Sequence, residues 1–596
     1  MENTRESAMW ENATNTINSI QASFLLILQN WPLFLHILIL QFSFAVLIST
    51  VLSKIISDRD LAATLSFLGG ILGAVLFSLA LSICKIKPSP SLGIAIYLLS
   101  LIIIVWQRKQ IYVSASLGIM ALFFFFILLL RLIFIQGLLV PPYADSATHW
   151  QIVRDFMNPQ NPPQAFFHLS FDLKRYYHFG FHALAAWLCG ITATNPATVI
   201  LILGQYFQAL AVLSIFPLVM VLSRNSYFAW MAMCVAGLFL PMPAYASNWG
   251  KYPAIASMVG ISIVLTLWLI MLKIKPFLPA GFRLLFSLAI ISSIVLHSRS
   301  ILVLFAVGIA YQLRLKTEAL RRKRLALNED PDIKMLLGFT SVTLTFLMII
   351  WVWEIEFSFW TLFALISIFT LAFFGDFFFT LFLLALIFIV GLGYTVSIRW
   401  PSLPVRFDVI FDRPFLLIFS YIPAIIFTWL GIEGLLNVFT NIDRNLFYKW
   451  ALTATMVLGF GNIFLLHDHR PSDCCILLND DDLFAFVWMQ NNLPDDVLIG
   501  IAATGETGNL LPTDGGAWIE PLTKIPVRKL SSRLDFYNEI DNLCGDRIAY
   551  IYIDDLENSF DEYRLMDVGG IVRFSTGEAR LYQLPCKNVV NGNTTP

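Results

Sequence analysis

The stretch Pro141-Pro142-Tyr143-Ala144-Asp145-Ser146-Ala147-Thr148-His149-Trp150 directly follows a long apolar run. Asp145 and His149 stand four residues apart, so a helix here puts the carboxyl group and the imidazole on one face. A carboxylate at a membrane boundary loses part of its hydration, which makes it a stronger base. Such a group can take the proton from a sugar or protein hydroxyl while that oxygen attacks an electrophile. Further on, Tyr177-His178-Phe179-Gly180-Phe181-His182 sets two more histidines four apart. Of the eight histidines in the chain, His149, His168, His178 and His182 fall in this one segment, a concentration that packing does not predict. Asp145 and His149 are the candidate catalytic residues, and Tyr177, His178 and His182 the candidate substrate-binding groups. The structural alternative makes Asp145 a helix cap and the aromatic and histidine side chains a headgroup belt.

Two cations complete this chemistry. In Ser247-Asn248-Trp249-Gly250-Lys251-Tyr252-Pro253, Gly250 and Pro253 shape a turn that directs Lys251 at the membrane boundary. Snorkelling to lipid headgroups is the ordinary role of such a lysine. Arg299, within His297-Ser298-Arg299-Ser300, interrupts otherwise continuous apolar sequence, where an unpaired charge is expensive unless it faces a wet cavity. Lys251, Arg299 and Tyr252 are therefore the candidate ligands of a phosphate, which suits the donor fork of a guanidinium. Asp145, His149, His178 and His182 are also of the types that hold Zn²⁺ or Mn²⁺. No spacing motif supports a divalent metal, so no metal ligand is assigned. Asp480-Asp481-Asp482 resembles a metal-binding acidic triplet but stands at a helix start, where capping is its expected role. Thr504-Gly505-Glu506-Thr507-Gly508 lacks the lysine of a phosphate-cradling loop and reads as a turn.

The elements that must position these groups follow from composition. The 596 residues are 58% hydrophobic and 13% charged, whereas a soluble domain carries roughly 25% charge. A soluble enzyme, a disordered chain and a fibrous protein are excluded. Apolar runs near 32–51, 61–83, 92–106, 112–138, 197–222, 229–240, 254–272, 282–296, 301–313, 335–353, 357–374, 377–394, 415–430 and 447–466 predict about fourteen membrane helices. The first 20 residues are polar and the first apolar run is too long for a cleavable signal. The cluster Arg314, Lys316, Arg321, Arg322, Lys323 and Arg324 marks the cytoplasm. Counting back from it puts Arg108, Lys109, Arg224, Lys273, Lys275 and Arg283 inside and the segments 139–196 and 241–252 outside. Lys85, Lys87, Arg399, Arg406 and Arg413 run against that count. The apolar stretch 179–191 is too short to cross and reads as an interfacial or re-entrant helix.

From Asp468 onward there are 21 acidic and 10 basic residues, against 19 and 29 upstream. An acidic, water-soluble tail thus hangs from a basic membrane body, and nothing suggests a nucleic-acid partner. The tail predicts a capped helix over 479–492, a helix over 534–543 and strands over 497–502, 548–553 and 579–584. It is read as a small extracytoplasmic α/β domain. Of its cysteines, Cys474, Cys475, Cys544 and Cys586, four thiols allow three pairings. A long-range disulfide from the Cys474–Cys475 neck to the domain is expected, with free thiols as the alternative. The resulting domain plan is 1–111 as additional membrane helices, 112–467 as the main membrane module with its outer loop 139–196, and 468–596 as the outer domain.

In Asp145, in the segment Tyr177-His178-Phe179-Gly180-Phe181-His182 and in Trp249-Gly250-Lys251-Tyr252-Pro253, the chain resembles the C-type (GT-C) membrane glycosyltransferases. That superfamily includes oligosaccharyltransferases, protein O-mannosyltransferases and aminoarabinose transferases. Tail residues Asp481, Leu483, Phe484, Phe486, Trp488, Asn491, Asn492 and Pro494, with Asp514-Gly515-Gly516-Ala517-Trp518, resemble the outer domain of uncharacterised bacterial members. The resemblance implies a GT-C-like polytopic helical fold in the cell membrane, serving cell-envelope assembly. It implies transfer of a hexosyl or pentosyl unit from a polyprenyl-phosphate sugar to a glycan, lipid or protein hydroxyl outside the cytoplasm. It also implies that Asp145 activates the acceptor. The Asp-Glu pair of the mannosyltransferases and the Trp-Trp-Asp motif of oligosaccharyltransferases are absent, which counts against a protein acceptor. Two other functions compete. A transporter or lipid flippase expects inverted repeats and broken helices, which the sequence does not display. A non-catalytic scaffold expects an intact fold that binds no lipid-linked sugar.

Overall fold

The computed structural model describes residues 2–158, 178–274, 279–309, 443–465, 469–494, 497–505, 510–556 and 559–586, with isolated positions between 312 and 425. The basic cluster at 314–324, the apolar runs predicted over 335–394 and Tyr177 lie outside the described residues. Within them, helices form where the apolar runs predict: α2 (Trp31–Leu52), α3 (Arg59–Ile83), α4 (Pro90–Trp106), α5 (Ala115–Ile133), α10 (Ser226–Leu238), α11 (Tyr252–Ile274) and α12 (Ala280–Leu296). A short helix α13 (Ser300–Ile309) and the last membrane-proximal helix α14 (Arg444–Leu465) follow. Five helical stretches among the described residues are long and apolar enough to cross a membrane.

Two of the helical outcomes differ from the sequence reading. The polar N-terminus folds into a helix, α1 (Glu2–Gln29). The run predicted over 197–222 divides into α8 (Pro196–Leu213) and α9 (Ile215–Ser223), because Pro217 cannot donate to the Leu213 carbonyl. The stretch α8–α9 is also the centre of the bundle: its most apolar window is wholly buried, as expected of a helix hydrophobic all round. Between α5 and α8 lie the two short helices that matter for chemistry, α6 (Ala144–Met157) and α7 (Gly180–Thr192).

The tail folds as an α/β unit. Strands β1 (Leu498–Thr504), β3 (Val527–Ser531) and β4 (Ile548–Ile553) are parallel, with β1 between the other two. On the far side of β4, β6 (Ala579–Gln583) and β5 (Ile571–Thr576) continue the sheet antiparallel, and β2 (Leu511–Pro512) caps β1. Alternate residues serve opposite cores: Ile499, Ile501, Tyr552 and Leu581 pack on one face, Ala502, Ile551, Ile553 and Tyr582 on the other. A sheet covered on both faces explains why β1 and β4 are continuously apolar. The helix α15 (Asp480–Asn492), followed by the short α16 (Ile519–Thr523), opens with the predicted cap, a reciprocal box in which Asn479 and Asp482 satisfy each other's backbone N–H.

The disulfide is not the expected one. Cys544, at the end of α17 (Phe536–Gly545), bonds Cys586 just beyond β6, while Cys474 and Cys475 are free thiols. Helix α17 packs on β4, which pairs with β6, so sheet topology brings these two sulfurs together and leaves the neck outside their reach. The closed loop spans 42 residues, which on chain-entropy grounds stabilises by about 4 kcal/mol. Cys544→Ser should therefore let protease cut the outer domain far sooner, and reductant should have the same effect on the parent chain. Equal cutting rates would refute this.

Three carboxylates lie inside the same domain. Burial pushes Asp514 up to about 8, Asp482 up to about 7 and Asp554 up to about 6. The charge of Asp554 adds to the first two shifts, and those of Glu578 and Asp555 to the third. A carboxyl whose folded pKa is raised stabilises the fold fully below its unfolded value and loses that stabilisation as pH rises through the folded one. The domain should thus become progressively less stable from about pH 4 to pH 8. Thermal unfolding across that range should show a falling midpoint, flattened in Asp514→Asn.

Candidate functional site

The site is assembled at the first turn of α6. Tyr143, its N-cap, holds φ 71° and ψ 153°, a conformation that side chains rarely adopt. It is held there by its N–H donating to the Cys475 carbonyl at 2.8 Å, and Ser146 Oγ donates to the Pro142 carbonyl at 2.5 Å. The sharp turn brings Asp145 into the first helical turn, where its charge complements the helix N-terminus. Helix α6 is braced from the other side by the outer domain. Ala144 and Ala147 share a buried cluster with Phe486, Ile499 and Trp518, and Arg154 donates to the Pro521 carbonyl at 3.3 Å.

The loop before α11 supplies the cation. A short turn (Ala244–Trp249) ends at Gly250, whose φ of +61° is left-handed and whose added Cβ would fall 2.5 Å from Ser146 Oγ. Only glycine suits both the conformation and the contact with the α6 turn. The next residue, Lys251, donates from Nζ to Asp145 Oδ2 at 2.5 Å. Their side chains are 25% and 29% exposed, so the ion pair is open on one side. The neck ties down this loop as well, because Ser472 N–H donates to Asn248 Oδ1 at 2.8 Å. One short stretch of backbone, 472–475, thus grips both halves of the pair.

Burial pushes the Asp145 carboxyl up, but Lys251 outweighs it, aided by Arg299. The net result lies below the ordinary carboxylate value, so Asp145 is ionised at neutral pH. Arg299 follows α12 in the turn that leads into α13, and its charge acts on both Asp145 and His297.

The histidines form a connected row. His149 Nε2 lies 3.0 Å from the Gly250 carbonyl, His182 Nε2 lies 2.9 Å from His149 Nδ1, and His182 Nδ1 lies 3.1 Å from the His178 carbonyl. The His178 ring then faces His297, with centroids 4.4 Å apart. Each of the three hydrogen-bonding gaps in the His149–His182 pair needs one hydrogen, since carbonyl oxygens only accept. Two neutral imidazoles bring two. Burial pushes His149 down to about 4 against the opposing charge of Asp145, so the resting pair is neutral and one gap holds no hydrogen. The row therefore brings α6, α7 and the Gly250 turn together, with hydrogens for two of its three contacts at a time.

Every described candidate from the sequence except Tyr252 enters this cluster through a side-chain hydrogen bond, ring contact or charge interaction. Tyr252 lies beneath it, fully buried with its ring stacked on Phe181 of α7, 6.3 Å between centroids. Among the described residues no three His, Cys, Asp or Glu side chains form a metal-binding set. The sequence reading missed the grip of the neck, which has no local signature. It also missed Arg131, a charge buried inside α5 whose Nη2 donates to the Gly237 carbonyl at 3.0 Å while Nε has no partner among the described residues. Its signal was present, a single cation within a run of phenylalanines and leucines.

No family model matches the sequence, and no curated protein does. Among solved structures, the arabinofuranosyltransferase AftD from Mycobacteria is similar at a TM-score of 0.32 and 13% identity. The match covers 80% of this chain and 40% of that one, so the chain spans less than half of the protein it resembles.

Proposed function

We propose that this chain is a membrane glycosyltransferase that moves a sugar from a polyprenyl-phosphate donor to an acceptor hydroxyl at the extracytoplasmic face. The observation that carries the reading is the half-open Asp145–Lys251 ion pair, with Arg299 close enough to act on the same carboxylate. In the resting pair Asp145 is a weak base, because Lys251 stabilises its charge. A donor phosphate competes for the same ammonium and is further held by Arg299. Drawing Lys251 away raises the proton affinity of Asp145, so donor binding itself prepares the base. Asp145 then takes the acceptor's hydroxyl proton as the oxygen bonds to the anomeric carbon. The bond from that carbon to the phosphate oxygen breaks, and the departing phosphate keeps the electron pair beside Lys251 and Arg299.

In this scheme His149 and His182 are positioning residues, since the first holds the Gly250 carbonyl and hence Lys251. His178 and Tyr177 remain assigned to the substrate, whereas Tyr252, fully buried against Phe181, is set aside as a phosphate ligand. The test is transfer from a radiolabelled polyprenyl-phosphate sugar in membranes carrying the protein. Label should move to a new product, with polyprenyl phosphate released in equal amount. Label that only crosses the bilayer unchanged would indicate a flippase instead.

A further inference from the structure

The neck between α14 and α15 holds the site and also carries two adjacent thiols. Cys474 is exposed, Cys475 is 4% exposed, and neither sulfur is in a disulfide. They sit in a single 3₁₀ turn, Asp473–Cys475, closed by Cys475 N–H donating to the Ser472 carbonyl at 3.0 Å. Both grips on the site leave from the ends of this turn. Ser472 N–H holds Asn248, three residues before Lys251, and the Cys475 carbonyl holds the N–H of Tyr143, two residues before Asp145. The same domain contains the Cys544–Cys586 bridge, and disulfides persist where the surroundings are oxidising.

Tyr143 shows what the grip restrains. Its φ of 71° with ψ of 153° lies in a region that glycine alone enters without strain. Such a conformation persists only where its surroundings enforce it, and the Cys475 carbonyl is one of those restraints. A Tyr143 freed from that carbonyl relaxes toward ordinary extended backbone. The first turn of α6 then swings, and Asp145 with it, away from Lys251. The ion pair is therefore sensitive to any rearrangement of the backbone between Ser472 and Cys475.

Bridging the two thiols is such a rearrangement. A disulfide sets its Cα atoms about 4.4–6.8 Å apart, whereas neighbours across a trans peptide are about 3.8 Å apart. The torsions on either side of the Cys474–Cys475 peptide must turn before the sulfurs can bond. That turning breaks the hydrogen bond to Ser472 and re-aims the Cys475 carbonyl. We infer that Cys474 and Cys475 form a redox latch on the Asp145–Lys251 pair, closed as two thiols and released as a disulfide between neighbours. The oxidant is a small-molecule disulfide, R–S–S–R. Cys474 loses its proton and attacks one sulfur, expelling R–S⁻; Cys475 loses its proton and displaces the second R–S⁻ from the mixed disulfide. The expelled thiolates take up the two protons, so two protein thiols are oxidised and one R–S–S–R is reduced to two R–SH. Burial and the neighbouring thiol hold Cys475 above the ordinary thiol value, so the exposed Cys474 attacks first. A bridge that works against its backbone is readily reduced again, which makes the latch reversible. Its effect on transfer rests on the reading of the site given above.

The test treats the full chain in nanodiscs with oxidised glutathione. The peptide spanning 474–475 should lose two hydrogens and carry no glutathione. Acetylation of the Lys251 amine by acetic anhydride should then rise to the rate of untreated Asp145→Asn, because both changes take away its partner. Sugar transfer should fall about 10²-fold, the cost of a displacement near 1 Å at a reacting group. Cys475→Ser and, separately, Cys474→Ser cannot form the bridge and should show none of these responses. Both variants keep the exposed Cys84, so they also control for its oxidation. If one of them fails to fold, the other decides. Three results would overturn the inference: no internal bridge forms, the bridge forms while Lys251 acetylation stays level, or the serine variants respond as the parent does. Acetylation needs no catalysis, so a chain that transfers no sugar still tests the latch. A parent that transfers sugar but ignores the oxidant would remove the latch and leave the catalytic reading standing.

Discussion

Asp145→Asn should lower sugar transfer by about 10²- to 10⁴-fold, the usual worth of a positioned general base. The substitution keeps the shape of the site and removes both the base and the partner of Lys251. A freed ammonium can bind phosphate without first leaving a carboxylate, so donor KM should stay level or fall while kcat collapses. The pH profile provides a second readout. In the free protein Asp145 is held below its ordinary carboxylate value, so kcat/KM should stay level down to acid pH. Once donor phosphate engages Lys251, that restraint is gone, and the acid limb of kcat should lie at higher pH than that of kcat/KM. Unchanged transfer in Asp145→Asn, or coincident acid limbs, would remove Asp145 from the chemistry.

Gly250→Ala should also disable transfer, though by geometry. A left-handed alanine costs roughly 1–2 kcal/mol, and its Cβ would fall 2.5 Å from Ser146 Oγ. The turn must shift, and it carries both the carbonyl that His149 grips and the lysine that meets Asp145. A displacement near 1 Å at a reacting group costs about 10²-fold in rate. Ser146→Ala in the same chain removes the clashing oxygen, so the double variant should recover part of the loss. Recovery separates a steric effect at this contact from general unfolding; a double variant no better than the single one would refute the account.

Three features of the chain were readable in the order of its residues because they depend on neighbours along it. Apolar length predicted the described membrane helices, with Pro217 as the missed interruption. Asn479 followed by three aspartates predicted the cap of α15, and period and composition located β1, β4 and β6. Residue type was also enough to nominate Asp145, Lys251 and Arg299, since charges at apolar boundaries are rare.

Only the tertiary structure decided how these parts meet. The Lys251–Asp145 bond joins residues 106 apart, and the neck's hold on Asn248 spans 224. Contacts at such separation leave no periodic trace in the residues that make them. The same holds for the disulfide: four cysteines allowed three pairings, and the adjacency of α17, β4 and β6 selected Cys544 with Cys586. Local order sets which elements form, because propensity and hydropathy act over a few residues. Long-range packing sets which side chains share water, charge and protons.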